Sequence, residues 1–177
     1  MESIVRDNVV RHLNKHGLIK DSQHGFRSGR SCTSNLLDFL DKVTEYINQR
    51  DNVDVVFLDF AKAFDKVPHM RLLAKLQAHG IDGNVIKWIE SWLKDRMQKV
   101  CLDGCCSKWA PVLSGMQQRS VLGALLFLIF INDLKDKVRN RLLNFADHTK
   151  VFRKMNSAAD ALQLQDDLGQ LCEWANN

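Results

Sequence analysis

The chain is predicted to fold as an α+β domain, and three observations predict it. Several segments repeat apolar residues at helical spacing, one short run is β-branched and nearly all apolar, and one later stretch reads as strand, tight turn, strand. These elements are mixed along the chain without the strict alternation of a doubly wound sheet. At 177 residues the chain is one domain by length. Its 45% apolar and 26% charged residues exclude wholesale disorder, a collagen-like repeat and a coiled-coil rod.

Residues 1–16 place Ile4, Val5, Val9, Val10 and Leu13 at helical spacing, and Gly17 can end that helix. Residues 23–30, with Gly25 and Gly29, read as a loop. A second helix over 33–49 puts Leu36, Leu37, Leu40, Val43 and Ile47 on one side. Residues 53–60, Val-Asp-Val-Val-Phe-Leu-Asp-Phe, carry the signature of a central strand buried on both faces. After Pro68, residues 70–79 form a helix that stops at Gly80. A further helix over 84–96 buries Val85, Ile86, Trp88, Ile89, Trp92 and Leu93. Residues 97–104 and 109–113 suit a hairpin around Gly104, and 121–134 form a fully buried helix. Residues 142–152 read as two strands about a polar break at Asp147-His148-Thr149, and Ser157 with Asp160 opens a final helix as a capping box.

Composition bounds the function. The net charge of +4 permits contact with nucleic acid without requiring it. The longest apolar run, Val121–Ile131, is too short for the roughly 20 residues of a membrane span. The first residues carry acids and no apolar stretch, so no signal peptide and no membrane are expected, and the chain reads as soluble and intracellular. Five cysteines, an odd number, suit a reducing compartment and separate thiols. Cys101, Cys105 and Cys106 lack the paired spacing and the neighbouring His of a zinc site.

Two acids stand out. Asp59 ends the apolar strand, and Asp147 occupies the turn between two apolar strands. A strand-end acid can simply meet water. Two of them at the ends of buried strands are what a divalent-metal site needs, because Mg²⁺ prefers hard oxygen ligands and takes one or two carboxylates plus substrate phosphates.

The words around these acids are specific. Residues 59–69, Asp-Phe-Ala-Lys-Ala-Phe-Asp-Lys-Val-Pro-His, and 23–32, Gln-His-Gly-Phe-Arg-Ser-Gly-Arg-Ser-Cys, resemble the first catalytic motif and the fingers motif of one family. Residues 114–124, Ser-Gly-Met-Gln-Gln-Arg-Ser-Val-Leu-Gly-Ala, resemble its template-and-nucleotide motif, normally Ser-Gly-Val-Pro-Gln-Gly-Ser-Val-Leu-Gly-Pro. Residues 145–150, Phe-Ala-Asp-His-Thr-Lys, resemble its Phe-Ala-Asp-Asp hairpin. The family is the reverse transcriptases of retrotransposons without long terminal repeats, of the jockey and chicken-repeat type. The resemblance implies a polymerase right-hand palm with part of the fingers, an antiparallel sheet packed against helices, and no thumb. It implies one partial domain over 1–177, with fingers-side helices at 1–52, palm core at 53–155 and a palm helix at 156–177. The implied reaction is RNA-directed DNA polymerisation, in which a primer 3′-hydroxyl attacks the α-phosphate of a deoxynucleotide and two Mg²⁺ ions stabilise the developing charge. The implied partners are an RNA template, a DNA primer and deoxynucleotides.

By motif position, Asp59 and Asp147 are the metal ligands, and His148 stands in place of the second hairpin acid. Phe60 contributes backbone to metal or phosphate, Phe64 falls at the steric gate against the sugar, and Gln118 lines the incoming nucleotide. Phe64 as core packing and Gln118 as an exposed helix-start residue are the plainer alternatives. Asp65 and Asp133 read as structural acids that cap or pair locally. Four departures, Gln117 for Pro, Arg119 for Gly, Ala124 for Pro and His148 for Asp, look like decay. A neutral imidazole brings no charge to offset cations, and a long side chain replaces a glycine beside the nucleotide. The expected state is a catalytically impaired remnant without upstream fingers, thumb or endonuclease, its last sheet edge open to association. The alternatives are a non-catalytic nucleic-acid-binding fragment or a pseudogene product.

Overall fold

The structure is a computed structural model and describes residues 1–176. In chain order its elements are α1 (Glu2–Lys15), α2 (Cys32–Asn48), β1 (Asn52–Leu58), α3 (His69–Ala78), α4 (Gly83–Leu93), β2 (Met97–Gln98), β3 (Cys101–Leu102), β4 (Cys105–Cys106), β5 (Ala110–Pro111), α5 (Val121–Ile131), β6 (Arg141–Phe145), β7 (His148–Met155) and α6 (Ala158–Asn176). A 3₁₀ stretch, Asn132–Lys137, continues α5. The chain forms two compact units, one of Met1–Leu18 and Lys62–Phe130, the other of Ile19–Ala61 and the residues from Ile131 onward. No helix among the described residues is long and apolar enough to cross a membrane.

The first unit gathers α1, α3, α4, a small β-ribbon and most of α5. Gly17 (φ 58°) and Gly80 (φ 75°) adopt the left-handed backbone where α1 and α3 stop, as their positions predict. His12 Nε2 donates to the His79 carbonyl (2.8 Å) and Trp92 Nε1 donates to Glu2 Oε1 (3.1 Å), so α1 is tied to the ends of both neighbours. Leu13, Leu72, Leu76, Ile89 and Leu93 of these three helices are buried. Of the six residues expected to be buried on α4, only Ile89 and Leu93 are. Helix α5 is apolar on every side and, apart from exposed Val121 and half-buried Ala124, is buried, as a helix without a polar face must be.

The ribbon pairs β2 with β5 and β3 with β4, and Asp103 and Gly104 both have positive φ, the requirement of a two-residue type I′ turn. Its register places Cys101 opposite Cys106, and a disulfide joins them. The separate-thiol expectation fails here because pairing across the turn, not sequence spacing, brings the two sulfurs together. Cys32, Cys105 and Cys172 remain free and exposed.

The second unit holds a three-stranded antiparallel sheet in the order β1-β7-β6. The strand β1 was expected to be central and lies instead at the edge, with no fully buried residue and Phe57 exposed. An apolar run cannot say which strand gains two neighbours. That place goes to β7, whose Val151 and Phe152 are buried. Helix α2 departs too: Leu36, Leu37, Leu40 and Ile47 stay exposed, while Asn35 is buried and Phe39 meets Phe152 edge-on at 5.2 Å. Asn35 decides the packing. Its Nδ2 donates to the Asn144 carbonyl (3.1 Å) and its Oδ1 accepts from Lys150 Nζ (2.7 Å).

Helix α6 buries Leu164, Asp167, Leu171 and Trp174, one face at helical spacing. Asp167 accepts from the backbone N–H groups of Arg139 (3.1 Å) and Asn140 (2.8 Å). At its start, Asp160 accepts from Ser157 N–H (2.9 Å), one half of the predicted capping box, and from the Arg153 guanidinium; the other half does not form, because the Ser157 hydroxyl donates to the same carboxylate (2.8 Å). Arg153, then the Ser157 hydroxyl, hold the Asp160 carboxyl well below the usual carboxylate range. A depressed carboxylate contributes stability that is complete above its unfolded pKa, about 3.9, and is lost as pH falls through the folded value. Asp160→Asn should therefore lower the urea midpoint by a constant amount from pH 7 to about pH 4, and the gap should close below that.

Candidate metal centre

The site is built by register. Leu58, the last residue of β1, pairs with Thr149 of β7, so Asp59 emerges beside His148. At this same end of the β6–β7 hairpin Phe145 pairs with His148, leaving Ala146-Asp147 as a two-residue turn. This corrects the expected break at Asp147-His148-Thr149: His148 and Thr149 belong to β7, and Thr149 is buried with its hydroxyl accepting from Asn144 Nδ2 (2.8 Å). Asp59, Asp147 and His148 each bring a ligand atom within 4.8 Å of the others, so the three hairpin and strand-end residues converge. His148 Nδ1 lies 3.3 Å from Asp59 Oδ1, and both side chains are more than two-thirds exposed (68% and 70%). At such exposure an ion pair is worth little, which leaves both groups free to turn toward a cation.

The donor set is two carboxylates and one imidazole. Two carboxylates suit a divalent cation. The imidazole does not suit Mg²⁺, which demands octahedral oxygen coordination; nitrogen donors belong with Zn²⁺ and other transition ions. The residues present therefore fit a divalent cation but not Mg²⁺ held by all three.

The turn that carries Asp147 is held from the fingers motif, a support that residue-by-residue reading missed. Ala146 has φ 55° at the first turn position, where a II′ turn ordinarily takes glycine. A non-glycine residue there costs about 1–3 kcal/mol and persists only where surroundings over-determine it. Gln23, 3% exposed, supplies that constraint: its Oε1 accepts from Ala146 N–H (3.0 Å) and Gly25 N–H (2.8 Å). A Cβ on Gly25 would stand 2.3 Å from the Ala146 nitrogen, so only glycine lets the loop approach this closely. His24 N–H donates to the Asn144 carbonyl (2.9 Å), Asn144 N–H donates to the Ser22 carbonyl (2.7 Å), and Gln23 forms a parallel bridge with Asn144. The His24 ring is buried, its Nδ1 2.9 Å from Ser34 Oγ, and burial pushes its pKa down. The signal available in the sequence was the pairing of a Gln with a Gly two residues on.

The remaining site residues divide between the units. Phe60 packs edge-on against Trp174 (5.8 Å), whose Nε1 donates to Asp133 Oδ1 (3.0 Å), so Asp133 is a structural acid and this pairing is with α6, not within its own segment. In the first unit Phe64 stacks on Phe127 at 4.4 Å while remaining half-buried. Its carbonyl accepts from Met116 N–H (2.9 Å), and Gln118 Nε2 donates to Asp65 Oδ1 (3.0 Å). Gly115 (φ 83°) permits this, since a Cβ there would lie 2.5 Å from the Asp65 carbonyl oxygen. Lys62, Asp65, Arg96, Gln117 and Gln118 line a cleft of about 620 Å³ within that unit. Arg119 has φ 63°, so a long side chain occupies left-handed backbone where the family motif has glycine.

Gln23→Ala should cost about 1–3 kcal/mol, the penalty for leaving buried donors unpaired. Urea unfolding measures the loss, and hydrogen exchange at the Ala146 amide should quicken specifically. Unchanged exchange there would mean that Gln23 does not hold the turn.

The comparisons agree with the geometry. The chain is 27% identical over 186 residues to the RNA-directed DNA polymerase from mobile element jockey of Drosophila melanogaster, covering 100% of this chain and 20% of that protein. It is 27% identical over 184 residues to the jockey polymerase of Drosophila funebris, covering 99% and 20%. It thus spans about a fifth of the length of these curated relatives. The fold is similar to that of apo telomerase from Candida tropicalis, truncated from its C-terminal domain, with a TM-score of 0.68 at 15% identity over 98% of this chain and 38% of that one. The family model described as reverse transcriptase (RNA-dependent DNA polymerase) matches residues 3–177. With that match spanning nearly all of a chain whose sheet brings Asp59 and Asp147 together, the chain belongs to the reverse transcriptase family.

Proposed function

We propose that this chain is a palm-centred portion of an RNA-directed DNA polymerase from a retrotransposon, with its polymerisation impaired by His148 and Arg119. The observation that carries the proposal is the convergence of Asp59 and Asp147 from separate strands in a chain matched to the family over 3–177. The layout proposed is fingers-side helices at 1–52, palm core at 53–155 and a palm helix at 156–177. Asp59 and Asp147 are proposed to hold a divalent cation, Mg²⁺ in the ancestral enzyme. The Phe60 backbone, Phe64 and Gln118 are proposed to receive the deoxynucleotide, and the larger partners are an RNA template and a DNA primer. Half-exposed Phe64, braced by Phe127, suits a rigid aromatic wall against a sugar. Gln118, held by Asp65, suits an oriented polar contact.

Impairment follows from charge and shape. In place of a third carboxylate, neutral His148 leaves the cation with one negative charge fewer. Removing even outer support of a metal commonly costs about 10–100-fold, and a direct ligand should cost at least that. Arg119 places a bulky cation on backbone that a glycine would occupy without strain. These two residues also favour a second reading, retention of nucleic-acid binding without synthesis. The outer edge of β1, which pairs with β7 alone among the described residues, offers a place for strand association.

The test is primer extension on an RNA template by the Drosophila melanogaster jockey polymerase carrying this segment in place of its own. The His148 form should extend at least about 10–100-fold more slowly than His148→Asp, and adding Arg119→Gly should raise the rate further. Equal rates would overturn the impairment, and no extension by the doubly restored form would overturn the polymerase assignment. The chain itself should bind primed duplex at low salt, with the logarithm of affinity falling linearly in the logarithm of salt by about 0.9 per phosphate contact on B-form DNA. Absence of binding at low salt would remove the binding reading.

A further inference from the structure

We infer that the Asp59–Asp147–His148 centre selects a transition dication of the Zn²⁺ class over Mg²⁺, with the His148 imidazole as a direct nitrogen ligand. The inference rests on the assignment of Asp59 and Asp147 as metal ligands made above, and it names the cation that this altered site takes. Two carboxylates and a neutral imidazole carry two negative charges, enough to neutralise one dication and short of what two dications need. Three protein ligands with a fourth position open to water is the pattern of a tetrahedral zinc site. The spacing suits it: His148 Nδ1 and Asp59 Oδ1 are 3.3 Å apart. Ligand bonds of about 2.0–2.1 Å at tetrahedral angles put neighbouring donors about 3.3 Å apart. The third donor lies within 4.8 Å of both, so an Asp147 rotamer change closes the set.

Two of the three ligands sit on fixed backbone. Asp147 occupies the turn clamped by Gln23, and His148 is the first residue of β7, paired with Phe145. Exposure of Asp59 and His148 leaves the approach open without a desolvation barrier. Among the described residues this is the only group of three His, Cys, Asp or Glu side chains brought so close. Octahedral Mg²⁺ gains two oxygens here and nothing from the nitrogen, whereas Zn²⁺ or Co²⁺ gains all three donors.

The experiment titrates the intact chain, without reductant so that the Cys101–Cys106 disulfide persists, and with Cys32, Cys105 and Cys172 replaced by serine to remove competing thiols. Isothermal calorimetry with Zn²⁺ and Mg²⁺ gives affinities, and the visible absorption of bound Co²⁺ reports tetrahedral nitrogen–oxygen coordination. The expected result is one Zn²⁺ or Co²⁺ per chain, at least about 100-fold tighter than Mg²⁺. His148→Ala should weaken Zn²⁺ by about 10–100-fold with Mg²⁺ nearly unchanged. His148→Asp should narrow the Zn²⁺/Mg²⁺ ratio and tighten Mg²⁺, with circular dichroism confirming that each variant folds. Zn²⁺ affinity indifferent to His148→Ala would overturn the inference. If His148→Asp gains Mg²⁺ while the parent shows no Zn²⁺ preference, the inference falls and the polymerase site stands. Cation binding indifferent to both Asp59→Asn and Asp147→Asn would overturn the metal centre itself.

Discussion

The antiparallel register of β1 on β7 is the constraint on which the site depends. With Leu58 opposite Thr149, the residue after β1 arrives beside His148, and the two-residue turn sets Asp147 next to both. Side chains alternate faces along a strand, so a slip of one residue would carry Asp59 to the other side of the sheet. The ladder itself opposes such a slip, because all seven residue pairs from Asn52–Met155 to Leu58–Thr149 would have to re-form in the new register. The polar pair Asn144–Thr149 opposes it again from the β6 side, since a buried amide and hydroxyl find each other only in this alignment.

A second layer holds the turn from outside the sheet. The loop before α2 lies along β6 and spends its backbone and the Gln23 amide on Asn144 and Ala146. Thus a segment more than a hundred residues away in the chain fixes the φ of the residue before a candidate ligand. The strain of Ala146 is tolerable because Gln23 and the close approach of Gly25 leave the turn no relaxed alternative. The fingers motif, in this chain, has a structural task on the palm hairpin.

The departures from the family pattern fall where structure makes them consequential. His148 does not drift away from the acids but stays beside them, 3.3 Å from Asp59. Arg119 lies on left-handed backbone, and the neighbouring Gly115, also left-handed and pressed against Asp65, has been kept. Substitution has therefore altered the chemistry of the site while the scaffold that presents it remains intact. On the proposed assignment of Asp59 and Asp147 as ligands, exchanging a hard oxygen for a nitrogen at residue 148 bears on the choice of cation more than on the shape of the site.

Local signals carried much of this protein. Helix ends at Gly17 and Gly80, the Asp160 half of the capping box at Ser157 and the apolar α5 follow from residue chemistry within a few positions, and so were legible in the chain. The motifs around Asp59 and Asp147 pointed to the family, because a dense cluster of specific words survives substitution elsewhere. What lay beyond them required two segments to meet. Only pairing showed that β7 is central and β1 an edge, that Cys101 faces Cys106, and that His148 heads a strand instead of filling a turn. The burial of Asn35 in place of the leucines of α2, and the hold of Gln23 on Ala146, depend on partners 109 and 123 residues distant. Hydrophobic pattern ranks residues by their cost in water, but a buried amide is placed by the one carbonyl or N–H that satisfies it, and that partner is known only once the chain has folded.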